Sequence, residues 1–273
     1  MFYLLLAICS SALVSIFMRT SETRVTHNLG LLVMNYLMCS LLSAIHSGFS
    51  GGFELTTTAM GCANGVLYLV SFILLQLNIR KNGVVLSSTF MKLGLLVTMA
   101  ISVCFYGEIP GLLQTVGFLL AVGAIILINY KKDAGVANAK LWLLLLLLCG
   151  GMADAMSKVF EESGVPGMDG QFLFFTFFTA LLLCTLLMVV KKQRIGKWEA
   201  LFGLLIGIPN FYSSKFLLRA LVDVAAVIAY PIYSVGSILS VTLAGILLFR
   251  ERLEKRQWIA LGIILAALVF LNI

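Results

Sequence analysis

Long apolar runs separated by short polar stretches fill the chain. Nine runs stand out, at 2–18, 29–46, 58–77, 83–105, 141–160, 171–190, 200–219, 224–249 and 257–271, and a tenth follows the turn GEIPG at 107–111. Most approach the ~20 residues that a helix needs to cross the hydrocarbon core. The pattern therefore predicts an all-α integral membrane protein of ten transmembrane helices. Within the third run, Asn64, Tyr68, Ser71, Leu75 and Asn78 recur at helical spacing and make one mostly polar stripe. Such a stripe is expensive against lipid, so it is predicted to face the protein interior. Pro209 and Pro231 interrupt the eighth and ninth runs. Each removes a helix hydrogen bond, which a membrane span tolerates beside protein or a wet cavity.

The apolar pattern also repeats. Residues 105–129 slide onto 248–272 at an offset of 143, which matches Glu108 to Glu251, Gln114 to Gln257, Ala124 to Ala267 and Asn129 to Asn272. The same offset carries Ser71, Leu74, Leu75, Val84 and Leu96 onto Ser214, Leu217, Leu218, Val227 and Leu239. The longest polar stretch, NYKKDAGVANAK, lies between the two copies. The expected organisation is a five-helix repeat at 1–130, a polar linker at 131–139 and a second five-helix repeat at 140–273. An odd number of spans per half inverts the second half relative to the first, the layout of many secondary transporters.

Composition narrows the class. The chain is 61% hydrophobic and 11% charged, against about 25% charged residues in soluble domains. The net charge of +7 does not point to nucleic acid, because fifteen of the 19 Lys and Arg fall in alternate short loops between apolar runs. That bias predicts those loops in the cytoplasm and both termini outside, in a multi-pass protein of the cell membrane. Trp142, Trp198 and Trp258 lie near span starts, as interface anchors do. The first run ends at Arg19 with no small-residue cleavage site and reads as a retained span. Six dispersed cysteines form no CxxC, and there is no GxxxxGK[ST] loop, so no cofactor, metal or nucleotide is expected. Oligomeric state has no signature.

Candidate chemistry lies with charges at membrane depth. A central Lys or Asp costs about 2.5–3.5 kcal/mol on translocon scales, so Lys92, Asp154, Lys158 and Lys215 should face a cavity or one another. Asp154 and Lys158, four residues apart, could pair on one helix face. Alternatively, Lys92 and Lys215, from opposite halves, line one solute cavity and favour a carboxylate or phosphate group. Asn64, Tyr68, Ser88, Asn210, Tyr212, Tyr230 and Tyr233 complete the expected substrate-binding set, as polar groups in an apolar wall. His27 and His46 read as interfacial and inert. Glu108 suits the positive end of a helix dipole. An intramembrane enzyme would want paired acids or a His cluster, and Asp154 is the only clear acid at depth, so the chain does not read as an enzyme.

Two five-span halves, the GE turn with Gln114 behind it, the RE turn with Gln257 and the proline in the ninth span together resemble the ten-helix EamA-type branch of the drug/metabolite transporter superfamily. The resemblance covers the whole chain. It implies alternating-access transport of small metabolites, often amino acids or their relatives, with a small-molecule solute and the lipid bilayer as partners. An exporter of lipophilic cations in the same superfamily is the alternative, and would rely on Asp154. Two features depart from the resemblance. Many bacterial members place basic loops so as to suggest cytoplasmic termini, the reverse of the pattern here. Four-span members use a membrane-embedded Glu in their first helix, where this chain has no acid.

Overall fold

The computed structural model describes residues 2–47, 53–106, 136–223, 226–250 and 255–270, with isolated positions between 111 and 123. The described residues are helical apart from short turns and caps. The helices are α1 (Phe2–Ser21), α2 (Asn28–Ser47), α3 (Leu55–Asn82), α4 (Val84–Lys92), α5 (Leu95–Tyr106), α6 (Val136–Ser163), α7 (Asp169–Val190), α8 (Lys197–Asp223), α9 (Ala226–Phe249) and α10 (Lys255–Phe270). Seven of these contain a stretch long and apolar enough to cross a membrane, and Leu86–Ile101 is a shorter apolar segment. Most of the predicted fifth span, with Glu108 and Gln114, lies outside the described residues, as do residues 129–135 of the polar stretch and Glu251.

Two predicted boundaries move. Helix α3 runs to Asn82, past the expected loop at 78–82, and ends where Gly83 takes φ +81° and donates its N–H to Ile79 O at 2.9 Å. That is the left-handed glycine stop that L side chains resist. Helix α6 starts at Val136, inside the expected linker.

The predicted fourth span is not one helix. It breaks at Leu93–Gly94, directly after Lys92. The break is made by packing. A Cβ on Gly94 would lie 2.6 Å from the Gly151 nitrogen, and one on Gly151 would lie 2.4 Å from Gly94 O. The two backbones touch, which only paired glycines allow.

Helices of the first half pack mainly on the second half. Helix α1 lies against α8 and α9, α2 against α7 and α8, α3 against α6 and α7, and α4 against α6 and α9. Two of these contacts are tight glycine seams. Gly61 and Gly65 bring α3 onto α7, and Gly203 and Gly207 bring α8 onto α2, with added Cβ atoms 2.4–2.8 Å from neighbouring atoms. In lipid, association rests on such close van der Waals contact, because burying apolar surface supplies no drive.

The bundle has two unlike ends. The basic end gathers Arg19, Arg24, Arg80, Lys81 and the Lys191–Lys197 loop, where α1, α3 and α7 finish and α2 and α8 begin. It is closed by polar links between halves. Glu199, 4% exposed, accepts from Thr26 N at 2.9 Å, Thr26 Oγ1 at 3.1 Å and His27 N at 3.1 Å. Gln193 Oε1 accepts from Leu29 N at 3.1 Å, and Asn78 Nδ2 donates to Trp142 O at 2.9 Å. At the opposite end, Gln171 Nε2 donates to Glu54 O at 2.9 Å and to Thr58 Oγ1 at 2.8 Å, holding α7 to α3.

Candidate functional site

A cavity of about 60 Å³ lies inside the bundle, walled by α1, α3, α4, α6, α8 and α9. It has room for about four waters. Both halves contribute. From the first come Tyr68 and Ser71 on α3 and Ser88 and Lys92 on α4; from the second come Asp154 on α6, Asn210 on α8 and Tyr233 on α9. The α4–α5 break sets Lys92 at a helix end beside this space, and discontinuous helices of this kind frame midplane sites in transporters.

The polar groups cross-link the helices, two of the bonds within a half and two between halves. Tyr68 Oη lies 2.9 Å from Ser214 Oγ, joining α3 to α8. Ser88 Oγ donates to Ser15 Oγ at 2.9 Å, joining α4 to α1. Ser213 Oγ lies 2.8 Å from Tyr233 Oη, joining α8 to α9. Asn210 Nδ2 donates to Asn35 Oδ1 at 3.3 Å, joining α8 to α2.

The charges are handled differently. Lys92 Nζ sits 3.8 Å from the Tyr233 ring centroid, a cation–π contact. Lys92 is close enough to act by charge on Asp154, which lines the same cavity. Among the described residues, no hydrogen bond and no ion pair within 4.0 Å holds either group. Ser237, fully buried, also lines the cavity, and its Oγ has no partner among the described residues. A buried hydroxyl without a partner is unusual and marks a place for a ligand or water atom.

The other expected site residues lie elsewhere. Lys158 is bonded to Glu162 at 2.5 Å, one turn toward the end of α6, and not to Asp154. Asn64 is buried off the cavity, with its Oδ1 unpartnered among the described residues. Tyr212 packs on Phe216, 5.2 Å from Phe211, away from the cavity lining. The side chains of Tyr230 and Gln257 lie outside the described residues.

Lys215 does not join Lys92. It lines a second and larger cavity of about 480 Å³ at the end opposite the basic one, with Arg219, His46, Asp169 and Phe211. Sequence reasoning treated His46 as inert and passed over Ser11, Ser15 and Asn35. Ser11 and Ser15 lie one turn apart on α1, a spacing that marks a shared polar face in an otherwise apolar helix. No cluster of three His, Cys, Asp or Glu suited to a metal occurs among the described residues.

Comparison with known proteins agrees with this architecture. The model of the EamA-like transporter family matches residues 138–273. An uncharacterized protein of Haemophilus influenzae is 24% identical over 212 residues, which cover 76% of this chain and 72% of that protein. A protein known from a crystal structure superimposes with a TM-score of 0.67 at 13% identity, over 98% of this chain and 96% of its own. That last likeness is one of fold, and it extends over both halves. The chain belongs to the EamA-like transporter family, within the drug/metabolite transporter superfamily, and is a multi-pass membrane protein.

Proposed function

We propose that this protein is a secondary transporter of a small polar metabolite bearing a carboxylate, an amino acid first among them, and that it works by alternating access. The observation that carries the reading is the inner cavity, where one cation and one carboxylate face the same space without pairing to each other. Isolated charges at this depth are costly. A zwitterion answers both, with its carboxylate at Lys92 and its ammonium at Asp154. Tyr68, Ser88, Asn210 and Tyr233 would supply the orienting hydrogen bonds. The volume suits a solute of few non-hydrogen atoms.

The two halves are proposed to be inverted five-helix repeats, residues 1–130 and 140–273, joined by 131–139. Their packing supports this. Exchanging α1, α2 and α3 with α6, α7 and α8, and α4 with α9, turns the contacts α1–α8, α2–α8 and α1–α9 into α6–α3, α7–α3 and α6–α4, all of which exist. The large cavity at one end, and the links of Glu199, Gln193 and Asn78 with no such cavity among the described residues at the other, fit one side open and the other closed. The basic end is assigned to the cytoplasm and both termini to the outside of the cell membrane.

The test is a thermal-shift series on the purified protein with alanine, propionate and tetraethylammonium, run on wild type, Lys92→Ala and Asp154→Asn. Saturating ligand stabilises the folded state by about 2.7 kcal/mol at 100 times Kd, which reads as a Tm rise of several degrees. Alanine should raise Tm most in wild type, and the rise should be smaller in both variants. A response confined to tetraethylammonium, lost in Asp154→Asn and kept in Lys92→Ala, would replace this reading with the cation-exporter one.

A further inference from the structure

The larger cavity is not an extension of the inner one. Asn210, Ser213 and Ser214 of α8 line the inner cavity, whereas Phe211, Lys215 and Arg219 of the same helix line the outer. One helix therefore carries both walls. Between them stands an aromatic partition. Phe211 is 1% exposed, and its ring lies 6.3 Å from Phe177 and 5.2 Å from Tyr212.

The outer cavity has its own charge pattern. Lys215 and Arg219 face it, and Asp169 at the start of α7 is the carboxylate in its lining. Lys215 Nζ sits 5.8 Å from the Phe211 centroid, and among the described residues no ion pair or hydrogen bond holds it or Arg219. His46 completes the wall, with its ring 5.3 Å from that of Phe211. Its Nδ1 lies 2.8 Å from Leu42 O. A carbonyl can only accept, so Nδ1 carries the proton and Nε2 remains available to a ligand.

We infer that this vestibule is a second binding site, which takes the carboxylate of a small solute between Lys215 and Arg219 before the solute passes Phe211 into the inner cavity. Two cations against one carboxylate, in a mouth walled by low-dielectric protein, concentrate anions there. The 480 Å³ volume admits a whole metabolite with its hydration, which the inner cavity does not. An ammonium on the same solute would meet Asp169. The role as an antechamber rests on the transporter reading, whereas the binding does not.

The test uses acetate as the probe and the full chain in detergent, in a chloride-free zwitterionic buffer, with Lys92→Ala as background so that the inner site cannot respond. Acetate should still raise Tm in Lys92→Ala, and the effect should weaken as ionic strength rises. In Lys92→Ala/Lys215→Gln/Arg219→Gln the apparent affinity should fall at least tenfold. Lys92→Ala/Lys215→Arg keeps the charge and should retain acetate binding, so a variant that is merely misfolded is recognised. An acetate response that survives loss of both cations overturns the inference. So does a vestibule that answers only to short-chain phosphatidylglycerol and not to acetate, because the site would then hold a lipid headgroup. Failure of the inner-site reading would appear separately, as alanine binding unaffected by Lys92→Ala in otherwise native protein.

Discussion

If access alternates, whatever seals the basic end must break apart when that end opens, and Phe72 is the side chain to remove. It is 3% exposed, and its ring stands 6.0 Å from Tyr36 and 6.2 Å from Tyr68. It belongs to one buried cluster with Leu29, Leu75, Leu146 and Cys184, and with Leu75 it lines the inner cavity on the way to the basic end. Truncating a buried Phe to Ala costs about 3–5 kcal/mol. If about 3 kcal/mol of that falls on the state closed at the basic end alone, the open state gains about a hundredfold. The protein carries its own reporter. Cys184 is fully buried in this plug, with its thiol 3.6 Å from Leu29 O. Cys39 is equally buried, but its thiol donates to Gly207 O at 3.3 Å, in the glycine seam of α2 and α8. With the other four cysteines replaced, a membrane-impermeant maleimide applied at the basic end should label Cys184 slowly in the parent. Phe72→Ala should accelerate that labelling by tens-fold to about a hundredfold and leave Cys39 protected, because a seam of paired glycines moves as one body. Parallel acceleration at both cysteines would mean general loosening of the bundle. No change at Cys184 would mean that Phe72 is not part of a seal. Either result refutes the argument.

Two further outcomes concern the scaffold. A Cβ on Gly65 would lie 2.5 Å from Thr176 O, so Gly65→Ala should destabilise by about 1–3 kcal/mol through overpacking. At Gly262 a Cβ meets nothing within 4 Å, and Ala there should be neutral or stabilising by up to ~1 kcal/mol; equal Tm values for the two variants would sink the seam argument. Glu54, just ahead of α3, is held down to about 2 from the ordinary 4.5 by the Thr56 hydroxyl and by Thr57. A depressed carboxylate stabilises fully above its unfolded value and loses that contribution as pH falls toward about 2. The Tm gap between wild type and Glu54→Gln should therefore close progressively as pH falls below the ordinary value, and a gap constant with pH would remove Glu54 from the account.

Seven of the spans were legible because lipid demands unbroken apolar runs, a strong signal. The inner set was legible for a related reason: Lys92, Asp154, Tyr68 and Asn210 are polar where polarity is costly, and they meet in one cavity. Depth within a helix was harder to read. So was facing: Phe211, Lys215 and Arg219 recur every four residues on one face of α8 and line the vestibule, whereas Asn210, Ser213 and Ser214 lie on another and line the inner cavity. Lys158 reads as midspan only if α6 stops near 160; the helix runs to Ser163, and Glu162 comes within reach. The α4–α5 break had no local signal, since Gly94 in an apolar run is unremarkable until Gly151 is placed against it. Asn35 and the α1 serines are isolated polar residues in apolar helices, and only packing assigns them a partner.

The proposed repeat gives the vestibule a direction. The offset of 143 that aligns the halves carries Phe211 onto Tyr68, Lys215 onto Phe72, Leu218 onto Leu75 and Arg219 onto Gln76. The aromatic partition and the leucine keep their character across the two copies; the cations do not. Where the vestibule end presents a lysine and an arginine to its cavity, the corresponding stretch of α3 presents a phenylalanine buried in the core and an uncharged amide, 5% exposed. The scaffold thus has a pattern that could open either way, but the electrostatics of the two mouths differ. In the vestibule two cations line the cavity itself, whereas at the basic end the cations lie at the helix ends and in the loops, and the stretch at Phe72 and Gln76 carries none. A site with equal affinity in both states shifts no equilibrium however tightly it binds, so in the proposed cycle Lys215 and Arg219 would act only while the vestibule is open, by holding a carboxylate next to Phe211.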